Sequence, residues 1–309
     1  SQCVFVLPLR GGVGETCRHE EIEMFGKEAD KYGPGQIIVL LIDSNGGSSY
    51  ESQLIAETIF EIRNRHRVVA WIHKAISAGC QTAMCCSELY FMTEGTAGSV
   101  TTWNPGTGQS IKGEELEKAM EHLADIAERA GHNGGRWIAY AMKTNPALLS
   151  YDRDPVTGKV TFYNDLSGEK VLSDADSNLC FNASNALDCG FSDGTADTEE
   201  DLAKLLNLPK WCEVSNYGER IAKQWQDTVE RAQEQIPLLV ARYNYKGTGS
   251  GDIVEVLGTR INIIKDLMQW NDRCPNVAQM MVPPNEQLPL ELAQLQKQLS
   301  DIKKRQAGG

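Results

Sequence analysis

Short apolar runs alternate with an amphipathic segment in the first part of the chain. Residues 36–42 (QIIVLLI) and 68–72 (VVAWI) are apolar runs of the kind that form strands buried on both faces of a parallel sheet. Between them, residues 49–66 place Leu54, Ile55 and further apolar residues at spacings of three and four, which is typical of an amphipathic helix. This order of strand and helix predicts right-handed crossovers over a parallel sheet.

A polar loop follows each of those two strands and precedes a helical segment. The loops are residues 43–48 (DSNGGS) and 76–79 (ISAG). Glycines let backbone N–H groups turn toward a ligand, and the start of a helix adds free N–H groups and the positive end of its dipole. The pattern predicts an oxyanion site with Ser77 beside it as a candidate nucleophile, provided that a base removes its proton.

The last third of the chain has a different pattern. Residues 213–235 and 253–270 have helical periodicity, and the final segment carries a short heptad seam, Leu288, Leu292, Leu295, Leu299 and Ile302. Two heptads are too few for an independent coiled coil, so packing on its own domain or on a neighbouring subunit is favoured over a dedicated partner-binding tail. We predict an α/β domain over 1–208 and a mainly helical extension over 209–309, a candidate element for oligomerisation or partner binding.

Composition excludes some classes of function. The net charge of -12 and the pI near 5.0 argue against nucleic-acid binding, which needs clustered Lys and Arg. No run of about 18 apolar residues is present, so we predict no transmembrane segment. The nine cysteines form no Cys-x-x-Cys pair, and we expect neither a metal nor a cofactor. The chain begins with Ser1, for which a removed secretory signal and a trimmed start are equally good explanations.

Five segments, in this order and spacing, resemble the landmarks of the ClpP/crotonase-fold serine peptidases. The likeness is strongest to the signal peptide peptidase A and NfeD-type membrane-associated proteases, and it covers roughly residues 3 to 208. It implies an α/β fold with a ClpP/crotonase-like core of parallel strands and crossover helices. The segments are 42–48 (IDSNGGS), 76–79 (ISAG), 95–100 (GTAGSV), 127–133 (AERAGHN) and 182–194 (NASNALDCGFSDG).

The resemblance also implies roles for particular residues. Ser77 is the implied nucleophile, and the backbone N–H groups of Gly46 or Gly47 and of Ala78 are the implied oxyanion hole. The implied substrate is an extended peptide or protein segment that adds along a strand beside the site. The family likeness further implies a homo-oligomer and an exported protein, periplasmic or membrane-associated.

The general base stays open at this stage. Residues 99–103 (SVTTW) contain no histidine where the Clp branch has one, so the resemblance implies a lysine, as in the signal-peptidase and NfeD branches. Lys118 lies 41 residues after Ser77, a separation similar to that of the NfeD-type proteins. Its helix phase, however, places it nearly opposite the apolar stripe and among glutamates that would hold it protonated. Lys112 precedes that helix, in a loop able to fold over Ser77.

Three functions therefore compete. The leading hypothesis is a serine endopeptidase with a Ser-Lys dyad that acts through an acyl-enzyme. The alternative is a catalytically silent member that keeps the fold as an assembly or binding module, motivated by the missing unambiguous base and by the added helical third. The third is crotonase-type chemistry on an acyl-CoA, in which two N–H groups polarise a thioester carbonyl; the nucleophile-like Ser77 makes it the least favoured.

Overall fold

The protein is represented by a computed structural model that describes residues 2–144, 147–176, 178–245, 251–279, 282–283 and 286–308. The chain divides into two compact units, residues 1–222 and 223–309. The boundary between the units falls inside a helix. Residues 209–222 belong to the first unit. This grouping has a structural reason, because Val4 exchanges backbone hydrogen bonds with that segment: its N–H donates to the carbonyl of Cys212, and its carbonyl accepts from the N–H of Val214.

The first unit is built from strands and helices that alternate along most of its length. Its elements are β1 (Val4–Arg10), α1 (His19–Asp30), β2 (Ile37–Ser44), α2 (Ser49–Ile62), β3 (Arg67–Ile76), α3 (Ala78–Met84), β4 (Glu88–Gly98), β5 (Trp103–Asn104), β6 (Gln109–Ser110), α4 (Gly113–Ala130), α5 (Gly135–Lys143), β7 (Leu149–Arg153), β8 (Val160–Tyr163), β9 (Lys170–Ser173), β10 (Cys180–Asn182), α6 (Ala183–Asp188), β11 (Gly194–Thr195), α7 (Glu199–Leu205) and the start of α8 (Tyr217–Asn244).

The main sheet has the strand order β1-β2-β3-β4-β10, and β11 also pairs with β4. Strands β1 to β4 are mutually parallel, β10 is antiparallel to β4, and β11 is parallel to it. Ile37, Ile38, Val39 and Leu40 of β2 are all fully buried, as expected for a strand covered on both faces. Because β2, β3 and β4 are parallel, their carboxyl ends and the loops that follow them meet at one edge of the sheet.

Helix α2 begins where the sequence pattern predicts it. The Ser48 side chain accepts a hydrogen bond from the N–H of Glu51 at 3.2 Å and caps the helix. Ile55, Ile59 and Ile62 follow at spacings of four and three and are fully buried, so this face of the helix packs into the core.

The loop between β2 and α2 is held by the loop that follows β1. The N–H of Val13 donates to the carbonyl of Gly46 at 3.0 Å, and the N–H of Ser48 donates to the carbonyl of Val13 at 2.9 Å. A Cβ atom on Gly47 would lie 2.4 Å from the Val13 carbonyl oxygen, and Gly47 has φ +153. Only glycine fits this position, because any side chain would collide with backbone.

The second unit is helical in its described part. It consists of the remainder of α8 together with α9 (Ile253–Arg273), α10 (Pro275–Ala278) and α11 (Gln287–Ala307). The first half of the predicted heptad seam packs inside this unit, where Leu288 is fully buried with Ile264 and Leu267, and Leu292 is partly buried. None of the described helices is both long enough and apolar enough to cross a membrane.

Candidate active site

Ser77 lies in a strained turn between β3 and α3. Its φ of 55 and ψ of -124 fall outside the regions that residues other than glycine adopt without cost, and such a conformation costs about 1–3 kcal/mol. The turn is held by the Ser77 N–H, which donates to the carbonyl of Gly98 at 3.0 Å, and by the N–H of Cys80, which donates to the carbonyl of Ser77 at 2.9 Å. A serine on a sharp turn from strand to helix has its hydroxyl exposed for attack on a carbonyl.

Gly46 packs directly against this turn. A Cβ atom at Gly46 would lie 2.6 Å from the Cβ of Ser77, 3.0 Å from the carbonyl oxygen of Ile76 and 3.1 Å from the nitrogen of Ala78, and its φ is +99. The absence of a side chain therefore lets the loop after β2 approach the backbone on both sides of Ser77. This contact brings the two predicted loops into one site.

The two loops leave two backbone N–H groups for an oxyanion. The N–H of Gly46 donates to Ser44 Oγ at 3.1 Å, so this group is already used. The N–H groups of Gly47 and Ala78 have no hydrogen-bond acceptor in the described part of the chain, and both residues line the cavity that Ser77 also lines. Of the two glycine N–H groups, that of Gly47 is the one without an acceptor in the described structure.

The cavity beside Ser77 has a volume of about 390 Å³. Its walls come from the two loops, from helices α2 to α5 and from the segment that follows β4. The lining residues are Gly47, Ser49, Ser52, Gln53, Ser77, Ala78, Gln81, Val100, Thr101, Thr102, Trp103, Lys118, Ala119, His122 and Lys143.

Lys143 is the buried cation of this cavity. It is the last residue of α5, only 7% of it is exposed, and its Nζ donates a hydrogen bond to Thr102 Oγ1 at 2.7 Å. Burial lowers the pKa of Lys143 to about 8, because a charged amine loses its hydration there. Within the described ranges no carboxylate lies within 4.0 Å of the amine to offset that loss. Near neutral pH a useful fraction of Lys143 is therefore unprotonated.

The two lysines predicted from the sequence lie in different surroundings. The Lys118 side chain is 75% exposed and forms an ion pair with Glu114 at 2.8 Å, although Lys118 also lines the cavity. Lys112 is exposed at the N-cap of α4 and is not among the lining residues. Neither lysine is buried as Lys143 is.

No family model and no curated protein matches this sequence, but solved structures do. A serine-to-alanine mutant of the 1510-N membrane-bound stomatin-specific protease matches with a TM-score of 0.51 and 14% identity, over 70% of this chain and 95% of that one. A lysine-to-alanine mutant of 1510-N in complex with a substrate peptide gives 0.51 and 14%, over 73% and 99%. ClpP1 from Listeria monocytogenes gives 0.41 and 15%, over 64% and 94%.

The chain has a ClpP-like α/β fold. The predicted fold class, a core of parallel strands with crossover helices followed by a helical C-terminal region, is confirmed, and so is the predicted resemblance to ClpP-fold serine peptidases. The structural similarity to the 1510-N protease, at 14% identity, shows the fold alone and leaves the chemistry to the residues of the site.

The sequence did not mark Lys143 as a site candidate, because its burial and its contact with Thr102 depend on segments that are distant along the chain. The sequence carries only a weak signal of this burial. Lys143 is the last residue of an apolar helix and shares a face with Ala139 and Met142, which are buried. The position is fixed by the segment after β4, since the N–H of Val100 donates to the carbonyl of Met142 at 2.9 Å. That hydrogen bond brings Thr102 next to the lysine amine.

A second cluster of polar side chains lies at the starts of α1 and α2. His19 Nδ1 is 2.7 Å from Glu51 Oε1 and 3.2 Å from Glu20 Oε2, so three potential metal ligands come together. The Arg18 guanidinium is 3.7 Å from Glu20, and Glu51 also accepts a hydrogen bond from the backbone N–H of His19 at 2.7 Å. These contacts join α1 to α2, and the positive charge of Arg18 disfavours a cation there.

Proposed function

We propose that this protein is a serine peptidase with Ser77 as the nucleophile and Lys143 as the general base. One observation carries the proposal: a serine in a strained turn and a buried lysine whose pKa is lowered to about 8 line the same cavity. A nucleophilic hydroxyl needs a base with a pKa near the working pH. Lys143 meets that requirement through its burial.

The proposed reaction proceeds through an acyl-enzyme. Neutral Lys143 takes the proton from Ser77 Oγ as that oxygen attacks the peptide carbonyl, and the N–H groups of Gly47 and Ala78 stabilise the oxyanion. The protonated amine then gives its proton to the leaving amine as the C–N bond breaks. In the second half, Lys143 takes a proton from the water that attacks the ester carbonyl, and it returns the proton to Ser77 Oγ as the ester C–O bond breaks and the carboxyl product leaves.

Lys118 is a poorer candidate for the same role. Its side chain is exposed and forms an ion pair with Glu114, whereas Lys143 is buried in the cavity wall. Lys112 is likewise exposed and lies away from the cavity lining. A silent assembly module was motivated by the missing base and by the added helical third, and Lys143 supplies a candidate for the missing base.

The substrate and assembly are part of the same proposal. The fold is shared with proteases, and 1510-N has been solved with a substrate peptide, which supports a peptide or protein substrate here. We also retain the predictions of a homo-oligomer, of an exported or membrane-associated location, and of the helical extension as a contact element.

Labelling with a small fluorophosphonate tests the proposal. The purified protein is expected to form an adduct that peptide mapping places on Ser77, and the adduct is lost in Ser77→Ala. Lys143→Met is expected to lower the labelling rate at pH 8 by at least about 100-fold, within the usual range for a general base, whereas Lys118→Met and Lys112→Met retain most of it. Absence of labelling, or loss in Lys118→Met with retention in Lys143→Met, contradicts the assignment.

A further inference from the structure

Ser52 carries a buried hydroxyl without a partner. The residue is 2% exposed, and its Oγ has no hydrogen-bond partner among the residues that the structure describes. Ser52 lies on α2 in the wall of the cavity that Ser77 lines. A buried hydroxyl that makes no hydrogen bond destabilises the folded protein, so its position on a cavity wall indicates a use for it when the cavity is filled.

Gln81 presents a second unused polar group to the same cavity. It is 6% exposed, it lies one turn beyond Ser77 on α3, and it lines the cavity. Its side-chain carboxamide makes no hydrogen bond to any part of the chain that the structure describes. Ser52 and Gln81 therefore offer the cavity a buried hydroxyl and a carboxamide, each of which can donate and accept hydrogen bonds.

The two side chains lie close in sequence to the proposed oxyanion donors. Ser52 is five residues after Gly47, and Gln81 is three residues after Ala78, so each donor is followed by one of the two polar groups. The carbonyl attacked by Ser77 would bind to those N–H groups. The side chain on the adjacent Cα of the same substrate residue would then enter the cavity that Ser52 and Gln81 also line.

We propose that Ser52 and Gln81 form a specificity subsite for a neutral amide side chain, glutamine or asparagine, on the residue that supplies the attacked carbonyl. This inference rests on the proposed peptidase function. An amide presents a carbonyl acceptor and N–H donors, which match a hydroxyl and a carboxamide that each do both. An aliphatic side chain in the same place leaves the buried Ser52 hydroxyl unpaired and shields the Gln81 carboxamide from water, which is the situation that gives strong discrimination between substrates.

Charged side chains fit this wall less well. Ser52 and Gln81 bring no counter-charge, and a buried charge without a partner is costly. Lys143 and Lys118 also line the cavity, and a positive charge on either residue disfavours a lysine or arginine side chain there. The subsite thus selects for hydrogen-bonding capacity without net charge.

The test is a series of peptides that differ only in the residue at the attacked carbonyl: Gln, Asn, Leu, Lys and Glu. For the wild-type protein, kcat/KM is expected to be at least about tenfold higher for Gln and Asn than for Leu. Ser52→Ala and Gln81→Leu are each expected to reduce that ratio to about threefold or less, chiefly by lowering kcat/KM for the amide peptides. Thr58→Ala is the matched control, because Thr58 is on the same helix and its hydroxyl already donates to the carbonyl of Leu54 at 2.8 Å.

Labelling by a fluorophosphonate separates this inference from the proposed function. A fluorophosphonate without a peptide side chain reports on Ser77 alone. Suppose that the fluorophosphonate labels Ser77. The subsite proposal is then wrong, and the peptidase proposal stands, if the Leu peptide is cleaved best, if none of the five peptides is cleaved, or if both variants keep the preference for amide peptides. If Ser77 is not labelled, both fail. Should Ser52→Ala not fold, the preference of Gln81→Leu decides.

Discussion

Lys143 Nζ donates a hydrogen bond of 2.7 Å to Thr102 Oγ1 inside the cavity that Ser77 lines. The two residues come from different elements, the end of helix α5 and the segment after strand β4. The hydroxyl limits the rotation of the amine and is its one hydrogen-bond partner among the described residues. Thr102 is therefore a positioning residue for the proposed base.

Replacing Thr102 tests this relationship. Thr102→Val keeps the shape of the side chain and removes the acceptor, so we expect kcat/KM to fall by about tenfold. The limb of the pH profile that rises with pH should also move to lower pH, since the charged amine loses a stabilising hydrogen bond. Thr102→Ser keeps the hydroxyl and is expected to restore both. A Thr102→Val protein with an unchanged pH profile contradicts the positioning role.

The rate of Ser77 labelling is expected to rise with pH. Burial lowers the pKa of Lys143 to about 8, so the unprotonated, basic form is scarce at pH 6 and predominates above pH 9. The logarithm of the fluorophosphonate labelling rate should therefore increase with unit slope below pH 8 and level off above it. A limb centred near pH 6.5 would instead indicate a histidine.

The burial of Lys143 also predicts an effect on stability. Its pKa is about 8 in the folded protein and near 10.5 when unfolded, so between these values the unfolded state binds more protons, and stability rises with pH. Below pH 8 the buried charge costs the full amount, about 3 kcal/mol for this pKa difference. Lys143→Met is expected to have a free energy of unfolding higher by about 3 kcal/mol at pH 7, with the difference closing toward pH 10.5.

Urea denaturation at pH 7 and at pH 10 measures this difference. Lys118→Met is the control, since an exposed ion pair such as Lys118–Glu114 contributes little. An equal effect of the two substitutions at pH 7 would show that Lys143 is not desolvated.

The close approach of Gly46 to Ser77 predicts a steric effect. In Gly46→Ala the new Cβ would lie 2.6 Å from Ser77 Cβ, so we expect a loss of at least about 2 kcal/mol in the free energy of unfolding and slow labelling of Ser77. Gly131 has a nearly equal φ, +94 against +99, but nothing lies within 4 Å of its Cβ position. Gly131→Ala isolates the backbone strain and should cost about 1 kcal/mol; equal losses would refute the steric explanation.

The unpaired hydroxyl of Ser52 predicts a stabilising substitution. Ser52→Ala removes a buried Oγ without a partner in the described structure, so thermal or urea unfolding should show a gain of about 1 kcal/mol. Thr58→Ala removes a hydroxyl that is hydrogen-bonded to Leu54 and should show no gain. A loss of stability in Ser52→Ala would mean that its hydroxyl is satisfied in the folded protein.

The sequence by itself determined the features that depend on local pattern. Apolar runs and helical periodicity predicted the parallel sheet with its crossovers, and the two glycine loops with Ser77 were recognisable because turns and helix starts require particular residues at adjacent positions. Helix phase also predicted the solvent-facing Lys118, which the structure places 75% exposed in a pair with Glu114.

Tertiary structure decided what depends on distant segments meeting. Gly46 and Gly47 are equivalent in a sequence pattern, and only the hydrogen bond from Gly46 to Ser44 Oγ leaves Gly47 as the free N–H donor of the pair. Nothing in the local sequence distinguishes Lys143 from other lysines at helix ends. Its surroundings are set by residues 100–102, which contact the end of α5 in the folded protein. Its lowered pKa comes from desolvation, a property of everything that surrounds the amine and of no single neighbour along the chain.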